Sequence, residues 1–264
     1  MSNLKKVLWV LVVVFGIGFV LPLGAGAGQV TVYPGGISFS TIQAGVDACP
    51  VGGTVSVSAG TYCERVYVNK GIALVGIGTP IIDSAGLGST NTVTFDGIET
   101  ADASISGFKI VGTKTGSSAG ICCKIGSSPT IRNNTITGSV DGISCSAADF
   151  SIITNNTITG NSNGISCSNS FPTISNNTIT GNSSYGIYCS NSSPTITNNT
   201  ITGNNHGIYC NSSSSPAISN NMITGNNSDG IYCRSSSPAI TNNMITGNSS
   251  HGIFCNYYSS PTII

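Results

Sequence analysis

Carboxylates and imidazoles are scarce in this chain, and their placement limits the chemistry open to it. Hydrolysis of a glycosidic bond needs two carboxylates within several ångströms, and a calcium site needs several oxygens at once. From Ser127 to Ser260 the acids are Asp141, Asp149 and Asp229. Asp141 and Asp229 hold related turn positions in a repeated unit, but four units separate them, about 19 Å at the spacing of stacked strands. Asp149 falls in a different loop. The one acid-rich stretch comes earlier, at Asp83, Asp96, Glu99 and Asp102, with Lys109 and Lys114 downstream. It carries no recognisable catalytic pattern and reads as a solvated loop edge. His206 and His251 stand two units apart and read as exposed turn residues. No CxxC pair occurs. The sequence therefore assigns no catalytic residue, no metal ligand and no cofactor.

Aromatic residues are better placed for a role. One outward position lies between an Ile and a Cys that both face inward. Successive units fill it with Ser144, Ser166, Tyr188, Tyr209, Tyr232 and Phe254. In a stacked fold the last four form a stripe, with rings about 4.8 Å apart. Such a stripe suits the faces of sugar rings, and Asn211 and Asn256 beside it offer hydrogen bonds. The competing reading is a ladder held by its own stacking.

These positions exist because a unit of about twenty-two residues repeats six times from Ser127 to Ser260. Ile recurs at 131, 153, 174, 196, 218 and 240, with spacings of 21 to 22. A period of that size, built from short alternating segments between Gly and Asn, means a stacked solenoid of strands. Within one unit, Pro194–Ile196, Asn199–Thr202 and Gly207–Cys210 are the three strand segments. Ile196, Ile201, Ile208 and Cys210 point inward, and Thr200, Thr202 and Tyr209 point outward. Gly203 and Gly207 bracket a turn. Each unit ends its first strand with paired Asn, whose second members are Asn134, Asn156, Asn177, Asn199, Asn221 and Asn243. Stacked amides can donate to the next coil and accept from the previous one, so these residues are expected to form a structural ladder. The same pairs begin Asn-Asn-Thr sequons at 133, 155, 176 and 198, but Met222 and Met244 break the sequon while the pair persists. Stacking explains that pattern and glycosylation does not.

Seven of the ten cysteines, Cys123 through Cys255, recur once per unit. Parallel Cβ vectors one coil apart are poorly set for bridging, so these are expected to be buried thiols acting as small hydrophobes. Cys49 and Cys63 lie outside the ladder and are a candidate disulfide.

At the start, Lys5 and Lys6 precede an apolar run from Val7 to Leu23, and Ala25-Gly26-Ala27 offers a cleavage site. This is the layout of a signal peptide over residues 1–27, with an uncleaved membrane anchor as the alternative. The remaining chain is slightly acidic, which excludes an electrostatic case for nucleic acid. From Phe150 to Ile264 there is one acid, Asp229, and one base, Arg234. Two regions follow the leader: residues 28–126, a cap with irregular first coils, and 127–264, the regular repeats. The sequence stops as a further repeat restarts at Pro261, so more chain is expected beyond residue 264.

The first region carries a resemblance. Ser40-Thr41-Ile42-Gln43-Ala44-Gly45-Val46-Asp47-Ala48, then Gly52-Gly53-Thr54-Val55 and Gly60-Thr61-Tyr62, precede the Asn-Asn-(Thr/Met)-Ile-Thr-Gly copies. Together they resemble the right-handed parallel β-helix proteins of the pectin-lyase-like superfamily, especially its NosD-like and carbohydrate-binding/sugar-hydrolase group. The resemblance implies an all-β, single-stranded right-handed solenoid with a short N-terminal helix over its open end. Ser40 or Thr41 at the helix start and Pro50 after it agree. The superfamily includes enzymes, binding proteins and structural surface proteins. The reading drawn here is a secreted or cell-surface, non-catalytic β-helix that is structural, adhesive or carbohydrate-binding, with a polysaccharide or cell-surface glycan as partner. The alternative is a polysaccharide lyase or glycoside hydrolase whose catalytic coils are missing or unrecognised.

Overall fold

The computed structural model describes residues 29–32, 38–97, 102–147 and 150–264. The leader, Glu99 and Asp149 lie outside the described residues. Each turn of the chain makes three short strands, for example Thr195–Thr197, Thr200–Thr202 and His206–Asn211. Strands from successive turns pair in parallel, giving a first sheet of eleven strands and second and third sheets of nine each. Like residues lie over like. Ile196 aligns with Ile218, Ile201 with Ile223, Ile208 with Ile231 and Cys210 with Cys233. The three Ile columns and the thiol column therefore fill the interior, and Ile131, Ile158, Ile187 and Cys189 are all 0 % exposed. Stacked identical side chains repeat one good packing arrangement at every coil, and this makes the period stable.

The corners show why the unit has its polar residues. At the first corner the leading Asn of each pair is exposed in the left-handed region, from Asn133 at φ 56° to Asn242 at φ 53°. Asn tolerates that conformation better than most residues. The second Asn is buried from Asn134 to Asn221, where its amide bonds to the next coil, and half-buried at Asn243. The Asn177 Nδ2 donates to Asn199 Oδ1 (3.0 Å) and to the Ile153 carbonyl (2.9 Å), and the Asn177 backbone N–H donates to the same Oδ1 (2.9 Å). A second amide ladder, which the sequence reading did not anticipate, runs at the next corner through Asn161, Asn182, Asn204, Asn226 and Asn248. Its signal was the Gly-Asn pair that closes every second strand. Gly203 there has φ 67°. Gly207 is needed for a different reason: a Cβ on it would sit 2.5 Å from the Gly230 carbonyl oxygen. At the third corner serines of neighbouring coils are linked in places: Ser170 N–H donates to Ser192 Oγ (3.2 Å), Ser192 N–H to Ser214 Oγ (3.1 Å) and Ser236 N–H to Ser259 Oγ (3.3 Å).

Among the described residues the one helix, α1 (Ile42–Ala48), lies against the first strands with Ile42, Gly45 and Val46 buried. Thr41 is its N-cap and accepts from Ala44 N–H (3.2 Å). The following coil serves both of its ends. Glu64 accepts from the Ile42 and Gln43 N–H groups (2.7 and 3.0 Å), and Lys70 donates to the Asp47 and Cys49 carbonyls (3.1 and 2.6 Å). Opposite charges at the two ends match the helix dipole. No disulfide joins the described cysteines. Cys49 is buried at the helix end and its thiol donates to the Pro50 carbonyl (3.6 Å), whereas Cys63 is exposed. In the ladder, Cys123 to Cys233 are buried and Cys255, in the last coil, is exposed. Among the described residues no helix is long and apolar enough to cross a membrane.

Candidate functional site

The outer face of the third sheet gathers nearly all of the chain's unusual side chains. Its strands pair in strict register, which sets Ser144 over Ser166, Ser166 over Tyr188, then Tyr209, Tyr232 and Phe254. The rings touch in sequence. Tyr188 and Tyr209 have centroids 5.7 Å apart, Tyr209 and Tyr232 are 4.7 Å apart at 46°, and Tyr232 and Phe254 are 5.3 Å apart and nearly parallel at 7°. The stripe is real, but it is not a bare platform. Tyr209 is only 8 % exposed.

Its cover comes from a second column that sequence reasoning misjudged. The first residues of these strands align as Asp141, Asn163, Tyr185 and His206, and Asp229 and His251 follow at the same place in the repeat. Tyr185 lies 4.7 Å from Tyr209 and 5.3 Å from Tyr188. His206 stacks on Tyr232 at 5.5 Å and meets Tyr209 edge-on at 6.1 Å, and His251 stacks on Phe254 at 4.8 Å. The two histidines are therefore not simply exposed turn residues. His206 opens the strand itself and is half-buried, and only His251 is exposed. Both address one carboxylate. Asp229, 5 % exposed, accepts from His251 at Nδ1 (2.8 Å) and at the backbone N–H (3.1 Å), and its other oxygen lies 3.3 Å from His206 Nδ1. The His206 contact is close but poorly aligned, so that nitrogen has no hydrogen-bond partner. Burial alone would raise the Asp229 carboxyl, but hydrogen bonds from His251 and Ser250 outweigh it and hold the group below its usual range. Burial pulls His206 below the ordinary imidazole value, against the opposing charge of Asp229. The signal for this cluster was present in the repeat spacing. Asp229 stands one coil from each histidine, between His206 and His251 in the same column.

The opposite flank carries Asn211, Arg234 and Asn256 in register. Asn256 donates to the Tyr232 hydroxyl (2.8 Å), and Arg234 lies over Tyr257 at 4.7 Å.

Toward the N-terminus the same face changes character. Tyr67, Thr94 and Cys122 continue the middle row. Asp96, from the acid-rich stretch, pairs with Lys124 (3.0 Å) and accepts from the Tyr67 hydroxyl (2.9 Å). It is thus part of an ion-paired cluster and not an isolated loop-edge acid. The Lys124 ammonium holds Asp96 below the usual carboxylate range and is itself raised by that hydrogen bond. Burial pushes the Cys122 thiol up to about 12, which leaves it unreactive near neutral pH. Burial also raises Asp141, against a hydrogen bond from Asn163 (2.8 Å). Asp141 and Asp229 remain far apart on the column, and no carboxylate pair suited to sugar hydrolysis forms between them.

Comparisons agree with this geometry at the level of fold and family. The family model described as "Periplasmic copper-binding protein (NosD)" matches residues 55–215 and again 101–264. No curated protein matches the chain. Among solved structures, the A-module of the Azotobacter vinelandii mannuronan C-5 epimerase AlgE4 is similar at 20 % identity and TM-score 0.69, over 84 % of this chain and 71 % of that one. The AlgE6 A-module of the same organism is similar at 18 % identity and TM-score 0.65, over 83 % and 70 %. The pectate lyase Pel9A is similar at 14 % identity and TM-score 0.65, over 89 % and 78 %. The fold is the right-handed parallel β-helix of the pectin-lyase-like superfamily.

Proposed function

The chain belongs to the NosD family, and from that premise we propose that it is an exported β-helix protein whose third-sheet face binds a polysaccharide or cell-surface glycan without cleaving it. The observation that carries this reading is the run of touching rings from Tyr188 to Phe254, flanked by Asn211, Arg234 and Asn256. Rings of this kind offer apolar faces to the C–H side of a sugar while the flanking amides and guanidinium take its hydroxyls. The periplasmic setting named for the family, and the sugar-polymer enzymes among the structural relatives, support export and a carbohydrate partner. The leader-like residues 1–27 supply the route.

The family description names copper, and the side chains here do not fit it. The interior thiols are sealed from solvent, Cys145, Cys167 and Cys189 at 0 % exposure. They are also strung along the axis, so they do not converge on one point. His251 turns its Nδ1 onto Asp229, and His206 Nδ1 faces the same carboxylate, which leaves one ring nitrogen on each and no third ligand grouped with them among the described residues. Among the described residues no three His, Cys, Asp or Glu side chains form a metal-holding group. The proposed function therefore uses no copper.

Glycan-array binding by residues 28–264 tests the reading. Tyr209→Ala combined with Tyr232→Ala is expected to weaken binding by about tenfold or more. An array with no signal for the unaltered protein would remove glycan recognition. A second reading, an enzyme acting on polysaccharide, draws on Tyr67, Asp96 and Lys124 meeting on the same face. Release of sugars or unsaturated products, lost in Lys124→Ala, would establish it in place of the first.

A further inference from the structure

The third corner of the repeats carries aromatic side chains that the fold does not need. Two outward columns bound this corner, one through Asn191, Ser213 and Ser235, the other through Ser193, Ser215 and Ser237. Between them Ser214 and Ser236 are buried, with Ser214 Oγ donating to the Asn211 carbonyl (2.6 Å) and Ser236 Oγ to the Cys210 carbonyl (3.1 Å). A trough is left above them. It measures about 280 Å³ beside Phe171 and about 380 Å³ beside Tyr257 and Tyr258, and the two parts meet at Ser213. From the coil of Phe171 to that of Tyr257 it runs along the axis for four coil steps, roughly 19 Å at the strand spacing. We propose that this trough is a second glycan site, separate from the aromatic stripe, and that it takes an uncharged oligosaccharide laid along the axis.

The aromatic ends supply the first argument. Tyr257 and Tyr258 have φ 49° and 61°, a region that bulky residues seldom take. Ser212 and Ser213 fill the same two places two coils earlier, at φ 51° and 62°. The backbone there is satisfied by small residues and has no use for rings. Tyr258 is fully exposed and Phe171 is about half exposed, so burial does not account for them either. Rings held in this way offer their faces to the C–H side of a sugar.

The lining between the rings supplies the second. Among the described residues the hydroxyls of Ser213, Ser215, Ser235 and Ser237 make no side-chain hydrogen bond. Each can donate and accept, as a sugar hydroxyl does. The backbone beside them is already committed from coil to coil, with Ser213 N–H donating to the Ser235 carbonyl (2.7 Å) and Asn191 N–H to the Asn211 carbonyl (3.3 Å). These positions give an extended peptide no strand edge to pair with. No acid or base is among the described side chains that line the trough. Arg234, the nearby base, has its guanidinium over Tyr257 at 4.7 Å. A charged ligand would be desolvated there without a partner.

Ser215→Phe tests the site without threatening the fold, because Phe171 already holds the same place two coils earlier. The new ring would fill the trough at its middle. Tyr258→Ala removes a fully exposed ring at one end. The full chain and both variants are read on an array of neutral and acidic oligosaccharides, beside the protein carrying Tyr209→Ala and Tyr232→Ala. A neutral spot is expected to fall about tenfold or more in Ser215→Phe and several-fold in Tyr258→Ala, and to hold in the stripe variant. Thermal unfolding of the two trough variants should match that of the unaltered protein. Neutral signals unmoved by Ser215→Phe, or no neutral signal from the unaltered protein, overturn the proposal. Signals lost only in the stripe variant remove the trough and keep the reading of the stripe. Signals lost only in the trough variants do the reverse.

Discussion

The first coils and the regular repeats solve the same packing problem in opposite ways. Before residue 127 the interior mixes Val, Leu, Ile, Phe and Tyr, as in Val57, Leu74, Ile82, Phe95 and Phe108, and each corner is closed by its own device. Arg65 reaches the Leu87 and Gly88 carbonyls, Glu64 and Lys70 hold the ends of α1, and Gly76 and Gly107 meet backbone to backbone. After residue 127 the interior is Ile and Cys, and the corners are closed by the same amides at each turn. The outer third-sheet face divides at the same place, with an ion-paired cluster at Tyr67, Asp96 and Lys124 and an uncharged aromatic row from Tyr188 onward. In the first region each polar contact is singular, so its loss should stay local. In the second each amide bonds to neighbours on both sides, so one substitution is felt across three coils.

The largest effect should therefore come from the ladder. Asn199→Ala removes the oxygen that accepts from Asn177 N–H and Asn177 Nδ2, and the nitrogen that donates to the Ile174 carbonyl and to Asn221 Oδ1. Several buried groups lose partners at about 1–3 kcal/mol each, so a loss of at least about 3 kcal/mol in denaturant unfolding is expected. Hydrogen exchange should rise in the coils on both sides. Asn198→Gly is the control. Asn198 is exposed at φ 57°, a conformation glycine takes without strain, so stability should change by less than about 1 kcal/mol. Equal losses from the two would mean that the ladder bonds contribute little. Next in size is Gly186→Ala, whose new Cβ would stand 2.5 Å from the Gly207 carbonyl oxygen and 2.7 Å from Ile201 Cγ2. Overpacking of that kind costs about 1–3 kcal/mol.

The same contrast explains what the sequence revealed. Ile196, Asn199 and Cys210 were legible because each is one sample of a column, and a column tells which way its members face. A column does not fix the direction of donation: Asn177 Nδ2 donates both to Asn199 of the next coil and to the Ile153 carbonyl of the preceding one. The row of Tyr188, Tyr209, Tyr232 and Phe254 was legible as one outward position per repeat, but its cover was not. Tyr185, His206, Asp229 and His251 fill one column with unlike residues, and periodicity cannot say how unlike neighbours pair. In the irregular coils Ser40 or Thr41 marks a helix start and Pro50 its end, both local signals. The bonds from Glu64 and Lys70 to that helix join residues more than twenty apart in the sequence and outside any repeat, so nothing in the pattern pointed to them.

Those bonds give the next test. Glu64→Gln keeps the shape but weakens acceptance from the Ile42 and Gln43 N–H groups and removes a negative charge from the helix start. Loss of a cap with its charge typically costs about 1 kcal/mol. Exchange should increase in α1 and in the strand Thr54–Ser58 beside it, with the repeats beyond Ser127 unchanged. Faster exchange throughout the solenoid would show that the two regions unfold as one unit and that the local-versus-shared distinction fails.

The smallest effect belongs to the exposed pair of Asp96 and Lys124. Its chemistry is visible in titration more than in stability. The folded carboxyl is depressed below its ordinary value of 3.8, so its contribution is present above that value and is lost as pH falls through the folded pKa. The ammonium is raised from 10.5, so its contribution is complete below that value and is lost as pH rises through the folded pKa. Between those limits the pair is intact but solvent-screened, and Lys124→Met should change stability by less than about 1 kcal/mol at neutral pH. Carbon-detected NMR of the Asp96 carboxyl should show its pKa rising toward the ordinary carboxylate value in Lys124→Met, with a smaller rise in Tyr67→Phe because the hydroxyl donor supplies less than the ammonium. Added salt should reduce the first change more than the second, since screening acts on the charge and not on the neutral hydrogen bond. An Asp96 titration unmoved by either substitution would mean that this face has no paired cluster, and the contrast with the uncharged aromatic row would then rest on composition alone.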